Sequence, residues 1–411
     1  MTDGAPPLVT VVIATYNWSS VLRHAIASAL DQTFQAFEIV VVGDGCTDDS
    51  AEVVASFADP RLRWHNLPSN TGSQSVPNNT GISLARGAYI AYLGHDDLWH
   101  PTHLETLVGL ARQGRGDIFY ALAAIVHPDG ERQISGLTGS GELGPGDFAV
   151  PSSLLHGRGL TAEVGPWPDP RTIRQTIDAD LFARARAAGK VFVGSERLTV
   201  FKFPSSTRKG SYVERPCHEQ AALLRRLREE PDVPFRELLE ITRSFLVRGP
   251  RPVRAPAVVE NAPPGWIARQ LRQIRGLEAA DAPMEPLPAE VQAEAFGLRA
   301  EGVPACAEPG QKLSLQVEVR NSSDFPLAST LPNPVHLSYH WLGAEGGMIV
   351  YDAPRAALVP PLPSQASGTY PLTVTTPESP GRYTLVLALV QENVRWYDEP
   401  RDGAVWPVEV R

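Results

Sequence analysis

The chain has 411 residues, a formal net charge of −9, 43% hydrophobic residues and 20% charged residues. This length exceeds one ordinary domain, and the composition is that of a core-forming protein, so we predict two or three globular domains. Because nucleic-acid binding needs a basic surface that neutralises phosphates, the acidic balance argues against a nucleic-acid partner.

Cysteine usage and the absence of long apolar runs indicate a cytoplasmic protein. The three cysteines, Cys46, Cys217 and Cys306, are odd in number and far apart, which favours neither a disulfide framework nor a zinc site. Residues 1–10 lack the basic and apolar regions of a signal peptide. No apolar run approaches the roughly 18 residues of a membrane-spanning helix.

The first half of the chain alternates strand and helix patterns. Strands that are apolar throughout, with amphipathic helices between them, indicate an α/β fold whose mostly parallel sheet is covered on both faces. The predicted strands are 8–15, 37–44, 62–67, 88–94 and 191–203, and the predicted helices are 19–32, 50–58, 78–87 and 178–189. The Gly-rich stretch 134–153 is predicted to cross the active face rather than to enter the core.

A helical segment and a linker follow the α/β region. Residues 217–248 have helical patterns, and a Pro- and Ala-rich linker covers roughly 276–295. Residues 241–275 contain seven Arg and a single acid, Glu260. This basic stretch is predicted either to approach an anionic membrane or acceptor or to form an ordinary solvated face.

From about residue 296 the pattern becomes that of an antiparallel β-sandwich, with alternating or apolar strands and no helix between them. Those strands are predicted at 312–323, 335–343, 368–376 and 381–391. We therefore predict an α/β domain at 1–210, a helical segment and linker at 211–290, and an Ig-like β-sandwich at 291–411.

Three aromatic residues of the sandwich, Trp341, Trp396 and Tyr397, are candidates for a sugar-stacking platform. Strand alternation places Trp341 in the core, whereas Trp396 and Tyr397 are predicted at the surface. Assembly into a homo-oligomer through this module is an equal alternative.

Polar residues follow each of the first four predicted strands. Thr15, Tyr16 and Asn17 follow the first strand, Asp44 ends the second, residues 69–79 follow the third, and His95, Asp96 and Asp97 follow the fourth. Because ligands of parallel sheets bind beyond the carboxyl ends of the strands, these clusters are predicted to form one polar site.

The carboxylates at these strand ends have alternative interpretations. Asp48 and Asp49 are as well suited to capping the next helix as to binding a ligand, whereas Asp44 favours a ligand role. A helix cap needs only one member of the Asp96–Asp97 pair. The other is suited to Mg²⁺ or Mn²⁺, which proteins often hold by one or two carboxylates plus ligand phosphates.

The ordered motifs "VTVVIATYN", "FEIVVVGDGCTDDS" and "NTGSQSVPNNTGISLARGAYIAYLGHDDLW" resemble family 2 glycosyltransferases with the GT-A (Rossmann-like) fold, over about residues 8–205. The resemblance implies an enzyme that transfers a sugar, with inversion, from a UDP-, GDP- or dTDP-linked donor. It also implies Mn²⁺ or Mg²⁺ at Asp96 and Asp97. The implied donor-nucleotide residues are Thr15, Tyr16, Asn17, Asp44, Asn79 and Asp96.

Two positions depart from the family pattern. Gly94 stands where the family's Asp-x-Asp motif usually begins with Asp, which puts a complete metal site in doubt, although His95 is a possible additional ligand. Asn78 stands where the family often has an Arg that contacts the donor phosphates.

The resemblance also implies a catalytic base, since a sugar hydroxyl must lose its proton as it attacks. In "TIDADLFARA", Asp178 takes the position of the family's base and Asp180 is the second candidate. Acids favoured by the helix dipole are the structural alternative for both residues. His156 and Trp167 are acceptor-side candidates, and Trp167 is equally suited to the core.

The sequence thus predicts a glycosyltransferase of bacterial surface-polysaccharide synthesis, with a saccharide or lipid-linked acceptor and at most peripheral contact with the inner face of the membrane. The loop after the first strand, "ATYNWSS", has neither the Gly nor the cation that a nucleotidyltransferase would carry there. A catalytically weakened carbohydrate- or nucleotide-binding scaffold is the remaining alternative.

Overall fold

The computed structural model describes residues 6–138, 143, 148–248, 262–278, 284–399 and 403–411. The chain divides into two compact units, one of residues 1–256 with 275–277 and the other of residues 257–274 with 278–411. Of the described residues, no helix is long and apolar enough to cross a membrane.

The first unit is built on one mixed sheet. Its strands are β1 (Val9–Thr15), β2 (Phe37–Gly43), β3 (Leu62–Asn66), β4 (Tyr89–Tyr92), β5 (Leu98–Trp99), β6 (Ile118–Val126), β7 (Arg132–Ser135), β8 (Leu154–Gly157) and β9 (Phe192–Lys202). The strand order is β3-β2-β1-β4-β8-β6-β9-β5, with β7 paired to β6. The neighbouring strands β3, β2, β1 and β4 are parallel, as are β6 and β9. The α/β fold class is therefore confirmed.

Helices cover this sheet. They are α1 (Ser19–Leu30), α2 (Ser50–Ala55), α3 (Ser75–Leu84), α4 (His103–Ala111), α5 (Leu160–Val164), α6 (Ile177–Ala187), α7 (Ser211–Glu214), α8 (His218–Glu229) and α9 (Val233–Arg248). Every residue of β2 and β6 is buried, as expected for strands covered on both faces. The strand order reverses where β4 pairs with β1, which is the position of a ligand-binding crevice in such sheets.

The sequence patterns missed the short antiparallel strands of this sheet. β8 lies between β4 and β6, and β5 pairs with the end of β9. Strands of two to four residues are too short to show periodicity. The predicted excursion at 134–153 begins inside β7, and its residues 139–142 and 144–147 lie outside the described residues.

The second unit contains α10 (Trp266–Ile274) and two β-sheets, and it confirms the predicted antiparallel C-terminal module. Its strands are β10 (Phe296–Ala300), β11 (Cys306–Ala307), β12 (Lys312–Asn321), β13 (Val335–Gly343), β14 (Met348–Val350), β15 (Ala356–Ala357), β16 (Ala366–Thr375), β17 (Gly381–Gln391), β18 (Arg395–Tyr397) and β19 (Val405–Val410). One sheet has the order β10-β12-β16. The other has the order β11-β19-β17-β13-β14, with β15 beside β13 and β18 beside β17.

Strict alternation marks the inner faces of this second unit. Along β12 every second residue is buried, and these side chains join one apolar cluster with Trp341 and Tyr339 of β13. Trp341 is fully buried, as the alternation predicts.

A glycine allows close packing of α3 on the sheet of the first unit. A Cβ atom at Gly81 would lie 2.4 Å from Cγ1 of Val12 on β1. We expect Gly81→Ala to lower the free energy of unfolding by about 1–3 kcal/mol, because the helix or the strand must shift. The measurement is chemical denaturation of the purified chain.

The matched control is Gly109→Ala in α4, where an added Cβ would meet no atom within 4 Å. Because Ala is the better helix former, this variant should be neutral or more stable by up to about 1 kcal/mol. Equal effects of the two substitutions would contradict the close α3–β1 contact.

Candidate active site at the strand ends

The loops that follow β1 and β2 are tied together by Asn17. Its backbone has a φ of 43°, a left-handed conformation that Asn tolerates better than most residues. Its side-chain oxygen accepts hydrogen bonds from the backbone N–H groups of Thr47 (2.7 Å) and Asp48 (3.2 Å). The predicted nucleoside-side loop is therefore held directly against the loop that follows Asp44.

Asp48 and Asp49 organise the starts of the first two helices. Asp48 accepts hydrogen bonds from the backbone N–H of Ser19 at 3.1 Å and of Ser50 at 3.2 Å. Asp49 accepts one from the Ser19 hydroxyl at 2.5 Å. Of the two interpretations of these acids, the contacts support the structural one.

Asp44 is buried and holds the loop that follows β3. One carboxylate oxygen accepts hydrogen bonds from the backbone N–H and the hydroxyl of Thr71, at 2.9 and 2.7 Å. The other accepts from the Asn70 amide at 3.0 Å and the Gly72 N–H at 3.2 Å. These four bonds use about the full accepting capacity of a carboxylate. Asp44 thus shapes the predicted nucleotide pocket by fixing residues 70–72.

Aromatic side chains cluster above the end of β1. Tyr16 stacks on Tyr212 with ring centroids 6.4 Å apart, and Trp18 meets the same Tyr212 ring edge-on at 5.2 Å. Burial raises the pKa of Tyr212 to about 12, so its hydroxyl is un-ionised at neutral pH. Tyr212 lies 196 positions after Tyr16 in the chain, and no sequence pattern indicated that the two rings meet.

His95 connects this aromatic cluster to the end of β4. Its Nδ1 lies 2.8 Å from the Thr15 hydroxyl, and its Nε2 lies 3.1 Å from the Tyr212 hydroxyl. Burial lowers the pKa of the His95 imidazole, which favours the neutral form. With both ring nitrogens engaged, His95 has no nitrogen left for a metal. The contacts therefore favour a positioning role over the predicted ligand role.

Asp97 points into the protein. Its side chain is fully buried, one oxygen accepts the Phe203 N–H at 3.0 Å, and the other accepts the Lys202 ammonium at 3.0 Å and the Ser152 hydroxyl. Burial raises the pKa of the Asp97 carboxyl, and the Lys202 charge opposes that shift. Asp97 was predicted as a metal ligand, and these contacts instead occupy it within the fold.

Neither Asp96 nor Asp97 caps α4, although capping was one of the predicted roles of this pair. The residue that precedes this helix is Thr102, and no side chain caps the helix start. Asp97 pairs with Lys202 instead, and Asp96 is left as the carboxylate beside the strand-end crevice. The Asp96 backbone carbonyl accepts a hydrogen bond from Gln220 at 3.1 Å, which fixes the loop.

The residues present fit a metal ion that is held by one carboxylate and by oxygens of a bound ligand. Among the described residues no group of three or more His, Cys, Asp or Glu side chains could hold a metal ion. A carboxylate such as Asp96 is nevertheless sufficient for Mg²⁺ or Mn²⁺ when a bound diphosphate supplies further oxygens. A divalent ion at this site would thus depend on the donor for most of its ligands.

Lys202 brings a positive charge to the same place. Burial alone would lower its pKa, but the charges of Asp97, Asp96 and Asp178 raise the pKa of the Lys202 ammonium above its ordinary value. Asp178, at the start of α6, is therefore close enough to act on the same cation as Asp96. Asp96 and Asp178 thus both contribute to the electrostatic environment of Lys202.

The contacts distinguish the two base candidates. Asp180 forms an ion pair with Arg184 at 2.7 Å. Asp178 accepts a hydrogen bond at 3.0 Å from the backbone N–H of the next residue, Ala179, and is only partly buried. Asp178 thus forms no ion pair of the kind that engages Asp180 with Arg184.

The predicted acceptor-side residues lie beneath the site rather than on its surface. The Tyr92 hydroxyl lies 2.8 Å from His156 Nε2 and accepts the Trp167 indole N–H at 3.0 Å. Asn79, predicted to bind the donor, exchanges two hydrogen bonds with the Trp167 backbone at 2.9 and 3.0 Å. Burial lowers the pKa of His156 to about 4. This geometry gives His156, Trp167 and Asn79 a supporting position.

The second cation near the site is Arg275, which no sequence pattern singled out. Its Nε donates to the Ser205 hydroxyl at 2.9 Å, and its guanidinium carbon lies 5.7 Å from the centre of the Tyr212 ring. Arg208 is buried and paired with Glu219 at 3.0 Å, so its charge is already engaged within the fold.

Comparison with known proteins identifies the domain that carries this site. Residues 10–139, about a third of the chain, match the model of Glycosyl transferase family 2. The poly(ribitol-phosphate) beta-N-acetylglucosaminyltransferase TarP of Staphylococcus aureus (strain N315) is 30% identical over 114 residues, which are 27% of this chain and 35% of TarP. The succinoglycan biosynthesis protein ExoO of Rhizobium meliloti (strain 1021) is 37% identical over 124 residues, which are 30% of this chain and 35% of ExoO.

The chain spans about a third of the length of the curated relatives that it matches. Among solved structures, S. aureus TarS 1-349 in complex with UDP-GlcNAc is 16% identical, with a TM-score of 0.42. That match covers 58% of this chain and 72% of the TarS chain.

Proposed function

We propose that the protein is an inverting glycosyltransferase that uses a nucleotide-diphosphate sugar, since residues 10–139 match the model of Glycosyl transferase family 2. The observation that carries this proposal is the meeting of the loops that follow the parallel strands, where Asn17 holds the Thr47 N–H, Asp44 holds Thr71 and His95 contacts Thr15. Asp96 is available for the donor diphosphate and its metal, and Asp178 for the acceptor hydroxyl.

The donor nucleoside is proposed to lie against the loop that follows β1. Thr15, Tyr16 and Asn17 line this position, and the loop held by Asp44 borders it. The partly exposed Tyr16 ring offers a surface on which a base can stack. UDP, GDP and dTDP all remain candidates, because base stacking does not distinguish them.

Asp96 is proposed to bind Mn²⁺ or Mg²⁺ together with the donor diphosphate. The bound ion would neutralise the negative charge that develops on the leaving nucleoside diphosphate. Lys202 and Arg275 place two further cations near Asp96 and Tyr212, and both belong to this chain. They reduce the charge that the ion must neutralise, which fits a site with a single available carboxylate.

Asp178 is proposed to activate the acceptor. Its carboxylate takes the proton of an acceptor hydroxyl while the hydroxyl oxygen forms a bond to the anomeric carbon of the donor. The bond from that carbon to the diphosphate oxygen breaks, and the electron pair leaves with the nucleoside diphosphate. Attack opposite the leaving group inverts the anomeric carbon.

Asp178→Asn should retain donor binding and lose turnover by on the order of a hundredfold or more, because only the proton acceptor is removed. Donor binding is measured by calorimetry, and turnover by release of nucleoside diphosphate in the presence of acceptor. The control is Asp180→Asn, which removes a carboxylate of the same helix turn and should leave most of the turnover. Retained turnover in Asp178→Asn would assign the base elsewhere.

Asp96→Asn should weaken donor binding about tenfold with Mn²⁺ and change it little with EDTA, because the metal link to the diphosphate is lost. The measurement is calorimetric titration with UDP-, GDP- and dTDP-sugars. Asp49→Asn, in the exposed helix-start position, is the control and should behave as the wild type does.

The two metal conditions also distinguish the alternatives. An equal loss of affinity with and without metal would remove the metal role from Asp96 while leaving a metal-independent transferase. Donor binding without turnover by the wild-type chain, over a panel of saccharide acceptors, would favour the scaffold alternative.

The acceptor is proposed to be a hydroxyl of a saccharide or glycoconjugate in bacterial surface-polysaccharide synthesis. The support comes from two bacterial relatives, since TarP is a poly(ribitol-phosphate) beta-N-acetylglucosaminyltransferase and ExoO is a succinoglycan biosynthesis protein. His156 and Trp167 are proposed to support the acceptor side from below rather than to contact the acceptor.

A peripheral membrane contact is proposed for α9. Phe235, Leu239 and Leu246 are 61%, 52% and 76% exposed, and their spacing of four and seven residues places them on one face of the helix. Arg243, also exposed, lies beside this face and is paired with Glu240 at 3.6 Å. An exposed apolar face of this kind is typical of helices that lie in a membrane interface. Residues 249–261 of the predicted basic stretch lie outside the described residues.

The double variant Leu239→Gln and Leu246→Gln should reduce binding to vesicles of phosphatidylcholine and phosphatidylglycerol in a flotation assay, because apolar area is lost. Val359→Gln changes an equally exposed apolar residue of the second unit and is the control. Wild-type protein that does not float with these vesicles would exclude the proposed contact.

A further inference from the structure

The outer face of β13 carries a row of buried polar side chains. Leu337, Tyr339 and Trp341 alternate into the core of the second unit. The residues between them therefore face the other side of the sheet, and they are His336, Ser338 and His340. All three are buried, so other segments of the chain cover a polar strip on the outside of this sheet.

Two aromatic rings lie over this strip. Tyr351 stacks nearly parallel on His340, with ring centroids 5.2 Å apart and planes at 15°. Trp396 lies 4.5 Å from His340 and 5.3 Å from Tyr351. Tyr351 is 50% exposed, and since one of its faces lies on His340, the opposite face is the one available to a ligand.

Carboxylates surround the two rings. Asp398 lies 3.4 Å from His340 Nε2, and the buried Arg355 pairs with both Asp352 and Glu392 at 2.7 Å. The guanidinium carbon of Arg355 lies 4.7 Å from the centre of the Trp396 ring, which fixes that ring. The three acidic side chains keep between 26% and 35% of their surface exposed. The cluster thus presents oxygen acceptors beside the rings and carries more negative than positive charge.

Three buried ring nitrogens of this strip lack a hydrogen-bond partner among the described residues. They are Nε2 of His336 and both ring nitrogens of His340, although Asp398 lies 3.4 Å from His340 Nε2. Leaving such a group unpaired costs about 1–3 kcal/mol, and buried polar groups are therefore nearly always satisfied. Buried water between these nitrogens and the polar groups around them would supply the missing partners.

We propose that Tyr351 and Trp396, with Asp352 and Asp398, form a binding site for a pyranose ring of a neutral saccharide. The C–H face of a pyranose is apolar and packs on an aromatic ring, while its hydroxyl groups donate hydrogen bonds to carboxylates. The excess of carboxylates disfavours phosphate-bearing or otherwise anionic chains. The site lies wholly within the second unit and does not rest on the proposed transferase reaction.

The composition of the patch favours a saccharide over a second copy of the chain. Charged residues are depleted from the centres of protein–protein interfaces. Here three partly exposed carboxylates lie within contact distance of the rings or of the side chains that hold them. Alternating apolar faces and hydroxyl groups are the features of a sugar that match this arrangement.

The test is calorimetric titration of the full-length protein with maltohexaose, cellohexaose and laminarihexaose, and with poly(glycerol phosphate) as the anionic comparison. We expect at least one neutral oligosaccharide to bind and the anionic polymer not to bind. Trp396→Ala and Tyr351→Ala should each weaken that binding about tenfold, the effect of losing one stacked ring.

Ile349→Ala is the matched control, since Ile349 is 55% exposed on β14 but lies outside the ring cluster. It should bind as the wild type does, and thermal unfolding of each variant checks that the second unit is folded. Asp398→Asn provides a second probe that keeps both rings, and it should also weaken binding.

Three outcomes would overturn the proposal. They are no binding of any neutral oligosaccharide at millimolar concentration, unchanged affinity in the folded Trp396→Ala variant, and preferential binding of the anionic polymer. A fourth contradicting outcome would come from sedimentation velocity. Self-association of the wild type that is lost in Tyr351→Ala would identify the patch as an interface between copies of the chain.

Discussion

The ion pair between Asp97 and Lys202 joins the parts of the first unit that the proposed reaction needs. Asp97 follows β4, Lys202 ends β9, and 105 residues separate them along the chain. A fully buried carboxylate is costly unless it is paired and hydrogen-bonded, and Asp97 is satisfied by Lys202, Ser152 and the Phe203 N–H. Because removal of one partner would leave an uncompensated buried charge, the pair ties the end of β4 to the end of β9.

This pair also explains why Gly94 can replace the first acid of the Asp-x-Asp motif. A Cβ at Gly94 would lie 2.7 Å from an oxygen of Asp97 and 3.1 Å from an oxygen of Asp96. An aspartate there would add a third carboxylate to a space already occupied by two. The inward turn of Asp97 and the loss of the acid at position 94 are thus two aspects of one arrangement. In this arrangement the acid at position 94 is absent, and the Lys202 cation lies beside the proposed diphosphate position.

Sequence patterns predicted what depends on local periodicity and strand direction. The positions of Thr15, Asp44 and Asp96 followed from strand ends, because parallel strands bring their carboxyl ends to one edge. Patterns could not predict Lys202, Tyr212 or Arg275, whose roles depend on partners far away in the chain. Nor could they show which carboxylate of the Asp96–Asp97 pair is engaged within the fold, since that depends on Ser152 and Lys202. Distant contacts of this kind leave no periodic signal.

In the second unit, the register of β18 against β17 determines which aromatic residue lies on the outer face of the sheet. Trp396 and Tyr397 were both predicted at the surface, but adjacent residues of a strand point to opposite faces. In the pairing of β18 with β17, Tyr397 lies opposite Leu389, which is in the core, and it is itself 5% exposed. The surface prediction for Tyr397 is therefore wrong. Trp396 lies opposite Val390, which in turn lies opposite His336, so it belongs to the outer face with the polar row of β13. Strand parity thus provides the second unit with an aromatic residue on each side of one sheet, Tyr397 in the core and Trp396 on the outer face with His340 and Tyr351.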